Sequence, residues 1–103
     1  MKDCAVGSIF ELSTVAANLV SSIAQSILEY GGTALFIDYG YVKSATGDTL
    51  QAIKGHKFHD VLKDPGNVDL SAHVDFEYLG KQAKATGILS YDVISQRNFL
   101  RML

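Results

Sequence analysis

The chain has 103 residues, which fits one small domain and is too short for a complete doubly wound nucleotide-binding fold with a substrate domain. Apolar residues make up 48% and charged residues 19%, a composition that indicates a globular protein and excludes a disordered one. The net charge is −2, the Lys and Arg residues are scattered, and no apolar run approaches the roughly 20 residues that cross a bilayer, so we expect neither a nucleic-acid nor a membrane partner.

The first predicted element is a helix over residues 14–30. Apolar residues recur there at helical spacing and form one stripe, while polar residues occupy the opposite side. Ser13 can cap the first turn with its hydroxyl, and the pair Gly31-Gly32 ends the helix because glycine readily adopts the left-handed conformation. The stripe consists of Ala16, Leu19, Val20, Ile23, Ala24, Ile27 and Leu28.

The next predicted element is a buried strand over residues 33–37. Its sequence, TALFI, is apolar on both faces, which is typical of a central parallel strand covered by helices on each side. Asp38 ends the strand with a polar residue. Helix, Gly-Gly break and strand form half of a βαβ unit, whose preceding strand would come from sequence outside this chain. We expect the helix to pack on the strand through Leu19, Val20, Ile23 and Ile27.

The second half of the chain is predicted to alternate short elements with turns. Asp75 can cap a second helix over residues 76–86, and residues 88–94 are predicted as a strand. The buried face of that helix would hold Phe76, Leu79, Gly80 and Ala83. The other segments are a loop at 41–48, a short strand at 50–54, an irregular stretch at 55–70 with a turn at 64–67, and a final helical turn or strand at 99–103.

Asp38 is a candidate for ligand binding because it follows the carboxyl end of the predicted strand. Ligands bind at that edge in open α/β sheets. The alternative is that its carboxylate only caps the next turn, and patterning leaves both interpretations open. Tyr39 and Tyr41 beside it either line a pocket or cover the sheet edge. Gly31-Gly32 precedes the strand instead of following it, so this pair is interpreted as a helix stop and not as a phosphate-binding loop.

A polar cluster lies between residues 56 and 75. His56 and His59 have a spacing that is loosely compatible with metal ligation, but the segment lacks the helical pattern that would align two imidazoles. Hydrogen bonds that fix the loop are therefore favoured over a metal site. His73 and Asp75 are candidates for acid–base chemistry, although capping is sufficient to explain Asp75. The single cysteine, Cys4, excludes an internal disulfide, and a reducing compartment is expected.

Three segments form a specific combined pattern. Residues 31–40 read GGTALFIDYG, residues 47–52 read GDTLQA with His56 shortly after, and residues 65–76 read PGNVDLSAHVDF. In this order and spacing they resemble the MidA family of SAM-dependent methyltransferases. Shorter matches lie at residues 11–13 and 95–100, where Arg97 stands at a position that is often Gly in the family. The resemblance runs over nearly all of residues 8–101 and corresponds to about the last third of a typical family catalytic domain.

This resemblance implies a function that the residues alone do not give. The family includes the mitochondrial protein arginine methyltransferase needed for assembly of respiratory complex I, so the implied function is part of a SAM-dependent protein arginine methyltransferase. The implied fold is α/β, a partial Rossmann-like sheet with flanking helices, in which residues 33–37 form the fifth strand. The family's glycine-rich loop and acidic ribose-binding residue lie outside this chain. We therefore expect one fragment-like domain over residues 1–103 that binds no cofactor alone and is inactive alone.

The resemblance also implies site residues and partners. Asp38 would be catalytic, and Tyr39, Gly40, His73 and Asp75 would bind substrate. The implied substrate is an arginine-bearing protein, whose guanidinium would pair with Asp38, expose a nitrogen lone pair for attack on the methyl group, and stack on Tyr39. The expected partner is the missing remainder of the methyltransferase domain or a second copy, in the cytoplasm or in a eukaryotic mitochondrial matrix. The alternative is a non-catalytic interaction module or a remnant of the family.

Overall fold

A computed structural model describes residues 4–103 as three helices and five short strands, in agreement with the predicted α/β class. Among these residues, no helix combines the length and the apolar character that crossing a membrane requires. The elements in chain order are α1 (Thr14–Tyr30), β1 (Gly40–Tyr41), β2 (Gln51–Lys54), β3 (Lys57–His59), β4 (Asp69–Ser71), β5 (Val74–Asp75), α2 (Phe76–Ala85) and α3 (Gln96–Met102).

Helix α1 has the predicted bounds and the predicted caps. The Ser13 hydroxyl accepts a hydrogen bond from the amide of Ala16, and Gly31, with φ of 79°, donates its amide to the carbonyl of Ile27. The helix packs against α2. Its buried residues are Ala17, Val20 and Ala24. The outer members of the predicted stripe, Leu19 and Leu28, are more than half exposed, so the stripe is only partly covered.

The predicted strand over residues 33–37 is not formed. No strand within residues 4–103 pairs with this segment, and Leu35 and Ile37 are 65% and 64% exposed. The physical reason is that a central parallel strand needs a neighbour on each side to satisfy its amides and carbonyls, and sequence periodicity does not supply those neighbours. The α1 residues predicted to contact this segment line two clefts shared with it, so the two elements face each other, but all of residues 33–37 stay exposed. These α1 residues are Leu19, Val20, Ile23 and Ile27.

A three-stranded antiparallel sheet follows, with the order β3-β2-β4. Strands β2 and β3 form a hairpin through Gly55 and His56, which both have positive φ, as the turn of a tight hairpin requires. Ala52 at the centre of β2 is fully buried. The predicted turn at residues 64–67 is confirmed, because the amide of Asn67 donates to the carbonyl of Asp64. The prediction of an irregular stretch at 55–70 was wrong where β3 and the start of β4 lie.

The second sheet is a short parallel pair that joins two distant parts of the sequence. Gly40 pairs with Val74 and Tyr41 with Asp75, and the amide of Val74 donates to the carbonyl of Tyr39 at 3.0 Å. Helix α2 starts directly after β5 and ends one residue before its predicted end. The predicted strand at 88–94 is absent from the structure, where this segment has no regular structure and most of its apolar residues stay exposed.

Candidate functional site

The β1–β5 pair brings the predicted site residues together. The ring centroid of His73 lies 4.9 Å from that of Tyr39 and 5.2 Å from that of Tyr41, and both contacts are edge-on. These three side chains are called the aromatic trio below. Tyr39 is 76% exposed while His73 and Tyr41 are half-buried, so the trio presents a tyrosine face to solvent. Tyr39 and His73 are residues that the sequence predicts for the site, whereas its patterning leaves the role of Tyr41 open.

Gly40 is required by the close approach of two backbones. A Cβ atom at this position would lie 2.0 Å from the carbonyl oxygen of Val74 and 2.8 Å from its carbonyl carbon. Only glycine lets β1 and β5 meet at this distance. The structure therefore gives Gly40 a steric reason to be glycine, and its predicted contact with substrate stays a prediction.

Asp38 lies at the end of the apolar segment, one residue before the trio. Its Oδ1 accepts a hydrogen bond from the amide of the next residue, Tyr39, at 2.7 Å, so the carboxylate has a local backbone partner. That amide is its sole hydrogen-bond donor within residues 4–103, so Oδ2 is available to a ligand. The side chain is exposed and borders a cleft of about 200 Å³ between α1 and the start of α2. The local hydrogen bond therefore leaves room for a ligand at Asp38, and its predicted catalytic role stays a prediction.

His73 and Asp75 are held by backbone-directed contacts. Asp75 caps α2 as predicted, since its Oδ1 accepts from the amide of Tyr78 at 2.9 Å. The amide of His73 donates to Oγ1 of Thr49 at 2.9 Å. Both residues are half-buried. Their predicted roles in substrate binding stay predictions, and the capping role of Asp75 is confirmed.

Sequence reasoning missed a carboxylate that anchors this region, Glu11. Its Oε1 accepts from the amides of Thr49 and Leu50 at 3.0 and 2.9 Å, and its Oε2 accepts from the Thr49 hydroxyl. The hydrogen bond from that hydroxyl, together with the two amides and the nearby His73, holds the pKa of Glu11 below its ordinary value of 4.5 against the effect of burial. Glu11 and Thr49 are 38 residues apart, so no local pattern indicates the contact.

Comparison with known proteins decides the family. Residues 1–94 match the sequence profile of a family described as "Putative S-adenosyl-L-methionine-dependent methyltransferase". The chain belongs to this methyltransferase family. An intact member of the family is expected to use SAM. The match includes every predicted site residue, from Asp38 to Asp75.

Several curated relatives share this region of the methyltransferase family. The protein arginine methyltransferase NDUFAF7, mitochondrial, of Danio rerio is 44% identical over 91 residues, which are 88% of this chain and 21% of that protein. The protein of the same name in Homo sapiens is 40% identical over 88% of this chain and 20% of its own length. A homologue in Caenorhabditis elegans is 37% identical over 91% of this chain and 22% of its own length. This chain thus spans about a fifth of the length of these relatives.

The residues of this methyltransferase-family chain do not fit SAM by themselves. Two clefts within residues 4–103 have volumes of about 350 and 200 Å³ and expose mainly apolar surface. The larger cleft, near the end of α1, has no charged residue in its lining, whereas SAM carries an ammonium, a carboxylate and a sulfonium group. Gly31-Gly32 follows a helix and ends it, so this pair does not form a phosphate-type loop. No step of the chemistry is therefore assigned to SAM held by these residues.

Metal ligation has no support in the part of the chain that the structure describes. Residues 4–103 contain no group of three or more His, Cys, Asp or Glu side chains placed to hold a metal ion. His56 lies in the β2–β3 turn, and His59 lies in β3. His59 Nε2 lies 3.2 Å from Oδ2 of Asp64, which also contacts Nζ of Lys54 at 2.6 Å. The hydrogen bond from Lys54 to Asp64 ties β2 to the loop after β3, whereas His59 Nε2 is buried and makes no hydrogen bond within residues 4–103, so loop-fixing hydrogen bonds by the histidines stay a prediction.

Glu77 ties the loop after β1 to helix α2, and this contact predicts an acid-sensitive stability. Its carboxylate lies 2.8 Å from Nζ of Lys81 and accepts from the amide of Ser44 at 2.7 Å, and Lys81 is the main reason that the pKa of Glu77 falls from 4.5 to about 2. Between pH 4.5 and about 2, the folded protein therefore binds fewer protons at Glu77 than the unfolded chain does. The stabilisation is complete above pH 4.5 and is lost as the pH falls towards 2.

We expect Glu77→Gln to lower the melting temperature at neutral pH and to lose this effect in acid. Melting curves of both proteins across that pH range, followed by circular dichroism, measure the difference. Lys81→Gln removes the main cause of the lowered pKa of Glu77. This variant should therefore lose stability over a narrower pH range than the wild type does. A constant difference between Glu77→Gln and the wild type at every pH would contradict the prediction.

Proposed function

We propose that this chain forms the substrate side of the catalytic domain of a SAM-dependent protein arginine methyltransferase. The observation that carries the proposal is the β1–β5 pairing, because it places the segment that contains Asp38, Tyr39 and Gly40 beside His73. These two segments are more than 30 residues apart in a region that matches the methyltransferase family. The names of the relatives support the choice of arginine as the methylated side chain.

The proposed fold of the complete domain is Rossmann-like. Residues 33–37 would be its fifth strand, α1 the helix before it and α2 the helix after it. The exposed apolar side chains of this segment support the proposal, because a strand inserted between neighbours would bury Leu35 and Ile37. The remainder of the domain is accordingly the proposed partner of this surface, and it would supply the residues that hold SAM.

The proposed chemistry of this chain is to bind and orient a guanidinium group. A carboxylate holds a guanidinium by paired, charge-assisted hydrogen bonds, and Oδ2 of Asp38 is available for one of them. The exposed ring of Tyr39 offers a face for the planar cation. Asp38 would fix which nitrogen points away from the carboxylate, so that its lone pair is free to react. SAM would supply the methyl group from residues outside this chain.

A chimera tests the proposal directly. The matched segment of the Danio rerio relative is replaced by the corresponding residues of this chain, and transfer of a labelled methyl group to an arginine-bearing protein is measured. We expect turnover within about tenfold of the parent, a difference of about 1.4 kcal/mol in transition-state stabilisation. The parent with the segment deleted serves as the inactive control. A chimera that folds and binds SAM but transfers no methyl group would contradict the proposal.

The alternative is a non-catalytic interaction module that self-associates. The exposed apolar residues of 33–37 favour it, since such surfaces promote pairing with another chain. Methyl transfer by the chimera distinguishes the two functions, because both expect the isolated chain to bind no SAM and both are compatible with its self-association. If the chain is part of a methyltransferase, we expect the chain alone to bind no SAM and the chimera to be active. If it is an interaction module, we expect a stable dimer of the chain and an inactive chimera.

A further inference from the structure

Glu11 is the centre of a contact between the segment before α1 and the loop before β2. It accepts hydrogen bonds from the last two amides of that loop, those of Thr49 and Leu50, and from the Thr49 hydroxyl. The carbonyl of Ile9 accepts from the amide of Gly47 at 3.0 Å, so the two segments are joined at a second point. A half-buried carboxylate with three donors is a fixed group, and it imposes its position on Thr49.

The Thr49 hydroxyl connects Glu11 to the backbone of His73. A hydroxyl has one proton, and here it is donated to Glu11, so the oxygen presents its lone pairs to other donors. One lone pair accepts from the backbone amide of His73 at 2.9 Å. Donation to an ionised carboxylate polarises the hydroxyl and strengthens the hydrogen bond that it accepts. Glu11 therefore acts on the His73 backbone through one intermediate oxygen.

His73 is the residue whose position decides the geometry of the trio. Its amide is held by Thr49, and the next amide, that of Val74, is held by the carbonyl of Tyr39 at 3.0 Å. These two hydrogen bonds fix the backbone on each side of the His73 Cα atom. The imidazole then lies edge-on to both tyrosines, with centroids 4.9 and 5.2 Å away. The contacts therefore run without a break from Glu11 to the residue that follows Asp38.

We propose that Glu11 is a positioning residue, which acts through Thr49 to hold the imidazole of His73 between Tyr39 and Tyr41. The consequence for methyl transfer rests on the proposed function above, whereas the positioning itself does not. A purely structural role for Glu11 would tie two segments together without controlling the imidazole. The two roles differ in the magnetic environment of the His73 ring, because neighbouring aromatic rings displace its proton resonances.

Two substitutions of Thr49 separate these roles in the 103-residue chain. Thr49→Val keeps the shape of the side chain but removes the hydroxyl, and Thr49→Ser keeps the hydroxyl. We expect the His73 ring protons of Thr49→Val to lose most of their ring-current displacement in NMR spectra, while Thr49→Ser keeps the wild-type positions. Thr86→Val is the matched control, because the Thr86 hydroxyl donates to Ala83 at the end of α2, outside this network, and it should leave His73 unchanged.

A second variant keeps the test decisive if Thr49→Val does not fold. Glu11→Gln retains an oxygen for the amides of Thr49 and Leu50 but replaces the other oxygen by an NH2 group, which cannot accept from the Thr49 hydroxyl. We expect it to move the His73 resonances in the same direction as Thr49→Val, by a smaller amount. Unchanged His73 resonances in a folded Thr49→Val or Glu11→Gln protein would overturn the positioning role.

The same substitutions in the chimera test the consequence for turnover. We expect Thr49→Val to lower turnover by about tenfold and Thr49→Ser to restore most of it, with little change in the apparent affinity for SAM. An inactive chimera with the expected NMR result would overturn the proposed function and leave the positioning role standing. If the chimera is active and Thr49→Val changes neither its turnover nor the His73 resonances, the positioning role is overturned and the proposed function stands.

Discussion

Gly40→Ala is expected to cause a large loss of stability, because its methyl group has no space between β1 and β5. The new Cβ atom would lie 2.0 Å from the carbonyl oxygen of Val74, and the neighbouring backbone atoms, at 2.8 Å, block escape by a small rotation. The strands must separate, which breaks the hydrogen bond from Val74 to Tyr39. We expect the free energy of unfolding to fall by about 3 kcal/mol, measured by urea denaturation followed by circular dichroism.

A matched substitution elsewhere should have the opposite sign. Gly80 lies inside α2, where an added Cβ atom would meet nothing within 4 Å. Alanine is favoured over glycine in a helix interior, so Gly80→Ala should raise stability by about 0.5–1 kcal/mol. Gly40→Ala should also displace the NMR resonances of His73, which Gly80→Ala leaves in place. Equal stabilities for the two variants would show that the β1–β5 junction can open without penalty.

The helices were predictable because their signals are local. Ser13 and Asp75 each sit three residues before the amide that they accept from, so sequence spacing alone places both N-caps. Gly31 ends α1 for an equally local reason, its positive φ. The β2–β3 hairpin was missed in part because its turn pairs Gly55 with His56, and a residue other than glycine is uncommon at positive φ.

The strands depended on partners that periodicity cannot identify. Residues 33–37 have the composition of a buried strand, yet no neighbour within residues 4–103 pairs with them. The β1–β5 pair was not predicted, because each strand has two residues and neither shows an alternation. The composition of residues 33–37 is therefore compatible with a buried strand, but a strand forms only where another strand pairs with it, and none does within residues 4–103.

The candidate site was predictable only where motifs marked it. Asp38, Tyr39 and His73 lay in segments that resemble a known family, and the structure then placed Tyr39 against His73. Glu11 and Thr49 were not singled out for the site, because a hydrogen bond across 38 residues leaves no periodic trace. Gly40 was singled out as a substrate contact, and its steric requirement became apparent only from the distance to Val74.

Asp38→Asn is expected to have the largest effect on turnover of the chimera. Asparagine keeps an oxygen that can accept from the Tyr39 amide, so the turn survives and the melting temperature should change little. The substitution removes the negative charge that would pair with a guanidinium, and the NH2 group in place of Oδ2 repels its donors. We expect turnover to fall by at least about tenfold, which corresponds to about 1.4 kcal/mol of transition-state stabilisation.

Asp60→Asn provides the matched control for this loss. The Asp60 carboxylate is also exposed, and its Oδ1 also accepts from a nearby backbone amide, that of Leu62 at 3.0 Å, but it lies outside the β1–β5 region. Removing its charge should therefore leave turnover unchanged. If Asp38→Asn also left turnover unchanged and lowered the melting temperature instead, the Tyr39 turn would be the whole role of Asp38. Guanidinium binding would then have to fall to the remaining candidates, which are the aromatic trio and Asp75, whose Oδ1 caps α2.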